Sequence, residues 1–122
     1  MVNVVNLINI IATRGLPSII VKLALVDTMA LLDSASGLNL IKKNAFERNF
    51  QTNKKQIRNT SVMVKRVNGV VSRASGEVNL NLEIMGKEFN FLFIIIDEVH
   101  FPTDVLLGYK SMKECGLVNR LA

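Results

Sequence analysis

The clearest pattern along the chain is the alternation between residues 77 and 84, where Val78, Leu80, Leu82 and Ile84 interleave with Glu77, Asn79, Asn81 and Glu83. A period of two marks a strand with one buried and one wet face. The run ends at Met85-Gly86-Lys87, where a turn is expected, and the continuously apolar FNFLFIIID (Phe89 to Asp97) follows as the next strand. Upstream, Ile19 to Leu23 and Thr28 to Leu32 read as two strands joined by a turn near Asp27, a hairpin that ends at Asp33. Leu38 to Phe46 reads as an apolar strand or short helix, and the polar ERNFQTNKKQIRNT after it as a surface connection. Val62, Val64 and Arg66 then alternate with Met63, Lys65 and Val67 ahead of Asn68-Gly69. That dipeptide signals a two-residue type I′ hairpin turn, since both central residues need positive φ. Past a loop marked by Pro102, DVLLG gives a short buried strand, and YKSMKECG gives one or two helical turns closed by Gly116 at the C′ position.

The first residues, MVNVVNLINIIATRG, are apolar, but Asn3, Asn6 and Asn9 interrupt them and Arg14 arrives well before a bilayer is crossed. No basic segment precedes the apolar one, which weighs against a signal peptide. The segment is expected to pack on the domain or on a partner chain, as strand or helix, because its apolar positions fit neither period.

These elements make a mostly β domain with one C-terminal helix, and length and composition fit a single compact domain. The chain has 122 residues, 49% of them apolar, and a mean hydropathy of +0.31, enough for a real core. Its one cysteine, Cys115, excludes an intrachain disulfide framework and suits a reducing, intracellular and cytoplasmic setting. His100 is the only histidine, so neither a metal centre nor a histidine-based triad is expected, and no cofactor is implied. Charge is uneven: residues 42–66 hold eight basic side chains against Glu47 alone, while the rest of the chain is slightly acidic. With only Phe46 and Phe50 interleaved and no accompanying motif, a solvated basic face is expected over a nucleic-acid site.

The stretch ALLDSASGLNLI, Ala30 to Ile41, concentrates the chemistry. Asp33 followed by Ser34, Ala35, Ser36 and Gly37 reads locally as a polar turn, or as a carboxylate held at a dry strand end. The order of elements decides between them. A hairpin entering Asp33, a mid-chain hairpin, the NLEIMGKEFNFLFIIID pair and a terminal DVLLGYKSMKECGL, with Gly108 lying 75 positions after Asp33, together resemble a retropepsin, the aspartic protease domain of retroviruses and gypsy-type retrotransposons.

The resemblance implies a closed β-barrel over residues 19–122, active as a homodimer, with residues 1–18 as an N-terminal segment available for an interface strand. It implies that Asp33 is the catalytic aspartate, with Ser34 the hydroxyl residue tying two active-site loops across the dimer and Ala35 completing the turn. It implies that Leu106, Leu107 and Gly108 pack behind the active-site loop, and that Val67, Asn68, Gly69 and Val70 form a flap over substrate. The implied activity is endopeptidase cleavage of peptides or a retroelement polyprotein. The chemistry needs two carboxyls, one to take a proton from water and one to give a proton to the carbonyl oxygen. One suitable Asp per chain then requires an isologous dimer. Asp27-Thr28-Met29 resembles a second copy of the motif but falls at the expected turn. Two departures stand out. Ala35 occupies the place of the motif glycine, which costs about 1–2 kcal/mol if that position needs positive φ. Tyr109-Lys110 stands where relatives carry Arg or Asp. The alternative is therefore a catalytically impaired retropepsin-like module that binds a peptide or protein.

Overall fold

A computed structural model describes residues 7–9, 15–50, 53, 56–65, 69–97 and 103–117. Nine strands and two short helices occur among them: β1 Leu7–Asn9, β2 Ser18–Leu23, β3 Val26–Asp33, β4 Asn39–Lys42, α1 Lys43–Asn49, β5 Met63–Lys65, β6 Val71–Arg73, β7 Gly76–Ile84, β8 Lys87–Ile96, β9 Val105–Gly108 and α2 Tyr109–Glu114. Six strands close into a barrel in the order β2-β3-β9-β4-β8-β7, and β1-β5-β6 form a separate sheet.

Two apolar clusters hold this arrangement. The larger fills the barrel with Val21, Leu23, Ala30, Leu32, Val78, Leu80, Leu82, Phe93 and Leu107, and is closed at its ends by Phe46 and Phe50 beside α1 and by Met112 of α2. The smaller lies outside the barrel wall, where Leu31, Leu40, Ile94 and Leu106 pack against Val62, Val64 and Ala74 around the β5–β6 hairpin. Strands β4 and β9 and the second halves of β3 and β8 are thus covered on both faces. This is the physical reason these stretches are mainly apolar without alternation, whereas β7, wet on one face, alternates.

The β2–β3 hairpin turns at Ala24 and Leu25, both in the left-handed region (φ 46° and 72°), so Asp27 lies on β3, exposed and paired in register with Lys22. The sequence expectation put the turn near Asp27. Val21 lies opposite Thr28, Leu23 opposite Val26 and Ile19 opposite Ala30, and that register leaves only Ala24-Leu25 to turn. The β7–β8 turn falls at Met85-Gly86 as expected, again with two positive φ values.

A second helix, α1, joins the expected C-terminal one. Phe46 and Phe50, one turn apart with ring centroids 6.2 Å apart, bury its inner side. Helix α2 ends as the sequence indicated: the Leu117 N–H donates to Met112 O, the Gly116 N–H donates to Lys113 O, and Gly116 has φ 79°, a Schellman motif. β5 and β6 pair with Met63 opposite Arg73 and Lys65 opposite Val71. Val67 and Asn68 themselves lie outside the described residues, as do Pro102 and His100. β1 settles the open choice for residues 7–9 as strand, parallel to β5.

Candidate active site

β3 carries Asp33 as its last residue, and the parallel ladder with β9 sets Leu32 beside Leu107 and Asp33 beside Gly108. The two motifs that are far apart in sequence are therefore neighbours at one end of the barrel. Asp33 is only 5% exposed. Its Oδ1 accepts a hydrogen bond from the Ala35 N–H at 3.0 Å, and its main-chain carbonyl accepts one from the Ser36 N–H at 3.1 Å. Both local readings of Asp33 are thus combined: the carboxylate forms an Asx turn, and it does so while buried at a strand end. The bond from Ala35 fixes the side-chain torsion and aims the carboxylate along the loop.

Ala35 is not in the left-handed region. The strain considered for an alanine at this place is absent, because the turn closes through the Asp33 side chain and does not demand positive φ of the residue two positions on. Ser34 and Ala35 are exposed beside the buried carboxylate, as are Tyr109 and Lys110 at the start of α2.

The loop is clamped from behind. Ser36 Oγ donates to Leu38 O at 2.7 Å and accepts from the Leu38 N–H at 3.2 Å, while Ser36 O accepts from the Tyr109 N–H at 2.8 Å. A Cβ placed on Gly108 would meet Ser36 O and Leu38 O, each at 2.8 Å, both backbone atoms with no room to yield. This close approach is what the glycine of Leu106-Leu107-Gly108 provides. Leu106 and Leu107 point to opposite faces, one into each apolar cluster.

Sequence reasoning passed over Asn39. It is buried, with Oδ1 accepting from the Gly108 N–H at 2.8 Å and Nδ2 donating to Leu92 O at 3.1 Å and to Ser111 Oγ at 2.7 Å. A signal was present: an asparagine opening an apolar strand, with no turn to explain it.

Of the expected flap residues, Gly69 and Val70 are described. Gly69 has φ 87° with open space around the missing Cβ, and Val70 is half exposed. Val64 packs on Leu31, Leu40 and Leu106, so the hairpin is rooted on the wall that carries Asp33. The basic stretch is partly neutralised: Arg48 pairs with Asp104 at 3.0 Å and Arg58 with Glu77 at 3.5 Å. A cleft of about 420 Å³ on the outer face of β7 and β8, lined by Lys22, Asn53, Gln56, Asn81 and Asn90 among others, shares no residue with the Asp33 loop. Cys115, buried under the barrel end, has its thiol pushed up to about 11, first by burial and then by the neighbouring Glu114 carboxylate.

Solved structures were compared with this chain. The EIAV protease complexed with the inhibitor HBY-793 superposes with a TM-score of 0.65 at 14% identity, over 84% of this chain and 90% of that one. The fold is retropepsin-like. The retroviral protease-like domain of Ddi1 from Leishmania major superposes with a TM-score of 0.55 at 15% identity, over 82% of this chain and 75% of that one. No family model and no curated protein matches the sequence. The retropepsin-like barrel survives at this identity because its burial pattern, and not its particular side chains, defines it. No helix of the described residues is long and apolar enough to cross a membrane.

Proposed function

We propose that this chain is an aspartic endopeptidase whose active site is completed by a two-fold homodimer, each protomer supplying Asp33. The observation that carries the reading is the buried Asp33 carboxylate, oriented by the Ala35 N–H on a loop held against Gly108, within a retropepsin-like barrel. Exposed Ser34 and Ala35 beside it supply a surface for a second copy.

Two carboxyls brought to about 3 Å cannot both ionise, so the pair shares one proton. The ionised member takes a proton from water as that water attacks the peptide carbonyl carbon. The protonated member gives its proton to the carbonyl oxygen, and the tetrahedral intermediate collapses with proton transfer to the leaving nitrogen. Substrate is an extended peptide, as at polyprotein junctions of a retroelement, covered by the hairpin whose tip spans Val67, Asn68, Gly69 and Val70.

The test is cleavage of an extended peptide library by the purified chain together with its sedimentation. The expected outcome is a dimer with bell-shaped activity on the acidic side of neutrality, abolished by Asp33→Asn, unchanged by Asp27→Asn and inhibited by a statine-containing peptide. A stable monomer, or activity that survives Asp33→Asn, overturns it. The second reading, a binding module without catalysis, rests on the exposed Cβ that Ala35 places beside the carboxylate. Peptidase activity appearing only in Ala35→Gly selects that reading.

A further inference from the structure

We propose that Asn39 is the positioning residue of the Asp33 site, acting through Gly108 and Ser111; the inference rests on the aspartic endopeptidase reading. Two consecutive backbone amides of the β9–α2 junction are claimed by the segment that follows Asp33. Asn39 Oδ1 takes the Gly108 N–H at 2.8 Å and Ser36 O takes the Tyr109 N–H at 2.8 Å. Gly108 is the register partner of Asp33 and has no room for a Cβ against Ser36 O and Leu38 O. Any slip of β9 therefore displaces the loop that aims the carboxylate. Asn39 is the residue that prevents the slip, because its two other hydrogen bonds run to different elements, Leu92 O on β8 and Ser111 Oγ on α2.

The side-chain type follows from this task. The position asks for one acceptor and two donors in a fixed planar fork, which a carboxamide supplies and a hydroxyl, carboxylate or alkyl group does not. Asn39 is 7% exposed and Ser111 6%, so water does not replace a lost partner. A purely packing role needs none of these polar groups. The groups that bond the amide, Leu92 O, the Gly108 N–H and Ser111 Oγ, carry no charge.

The experiment compares Asn39→Leu, which keeps the volume and removes all three bonds, with Ser111→Ala, which removes one acceptor and leaves Asn39 bonded to Gly108 and Leu92. For Asn39→Leu we expect kcat to fall by about 10²-fold with KM within a factor of two, the loss typical of a small misplacement of a reacting group. Ser111→Ala falls only a few-fold, and the double variant is no worse than Asn39→Leu alone because one network is being cut. The Asp33 carboxyl ¹³C resonance moves in Asn39→Leu, a readout that does not require turnover. A folded Asn39→Leu with unchanged kcat, or with the loss confined to KM, overturns the proposal. If Asn39→Leu does not fold, Ser111→Ala decides: an unchanged Asp33 resonance and unchanged kcat overturn it. A wild-type chain that cleaves nothing defeats the endopeptidase reading, and the Asp33 resonance then tests the positioning role separately.

Discussion

The barrel has two unlike halves. In β2, β7 and the first half of β8 one face meets the core and the other meets water, so apolar residues alternate with Lys22, Asn79, Asn81, Glu83, Glu88 and Asn90. On this wet face Arg58 donates to Asn79, Asn79 to Asn90 and Asn90 to Asn81, an exposed amide row. In β9, in Asn39 to Ile41 of β4 and in the second halves of β3 and β8 both faces are covered, and the polar side chains there, Asp33 and Asn39, are buried with named partners. Strand β8 crosses from one regime to the other, pairing with β7 along its length and with β4 over Phe93 to Ile96. Fixed geometry is concentrated in the half packed from two sides. A carboxylate that must hold a fixed direction sits where the backbone is packed from two sides, and the hairpins on the wet half tolerate strained turns at Leu25 and Met85.

The largest effect should come from the doubly covered half. Leu107→Ala removes a side chain with no exposure and should destabilise by about 2–5 kcal/mol, while Asn81→Ala on the wet face should stay within about 0.5 kcal/mol. Chemical denaturation of the two variants measures the contrast, and equal losses would break it. Gly108→Ala should cost about 3 kcal/mol and also depress any peptidase activity, because the new methyl meets two backbone oxygens. Its control is Gly37→Ala in the same loop, where nothing lies within 4 Å and φ is not left-handed, and near-neutral stability is expected.

A third measurement uses pH. The Cys115 thiol is raised from 9.0 to about 11, so between these values the folded chain keeps a proton that the unfolded chain has released. Stability is therefore undiminished below pH 9 and declines as pH rises through 11, by roughly 2–3 kcal/mol in all. Cys115→Ala should flatten that decline, and the native thiol should alkylate slowly at pH 8. The smallest effect is a gain. Leu25 is 87% exposed with φ 72°, so Leu25→Asn gives up no packing and relieves left-handed strain, raising stability by about 1 kcal/mol. A loss of stability there would mean that the leucine is held by something other than its turn.

The pairing of the Asp33 loop with the distal Leu106-Leu107-Gly108 was legible only through the resemblance to a retropepsin, whereas the strand pattern, the Met85-Gly86 turn and the C-terminal helix with its Gly116 stop are written directly in the chain. These are local or periodic signals, and a chain folds them wherever burial alternates or a backbone must turn left-handed. Legibility faded where the outcome depended on partners remote in sequence. Asp27 looked like a turn residue until the pairing of Val21 with Thr28 and of Leu23 with Val26 moved the turn to Ala24-Leu25. Helix α1 depended on a barrel end for Phe46 and Phe50 to close. Ala35 looked strained because the motif carries glycine, yet the Asp33 side chain closes the turn without positive φ. Asn39 at the head of an apolar strand signalled a buried amide but not its role, because its three partners lie 53, 69 and 72 positions away, and hydrogen bonds across such separations exist only once the sheet has brought β8, β9 and α2 around it.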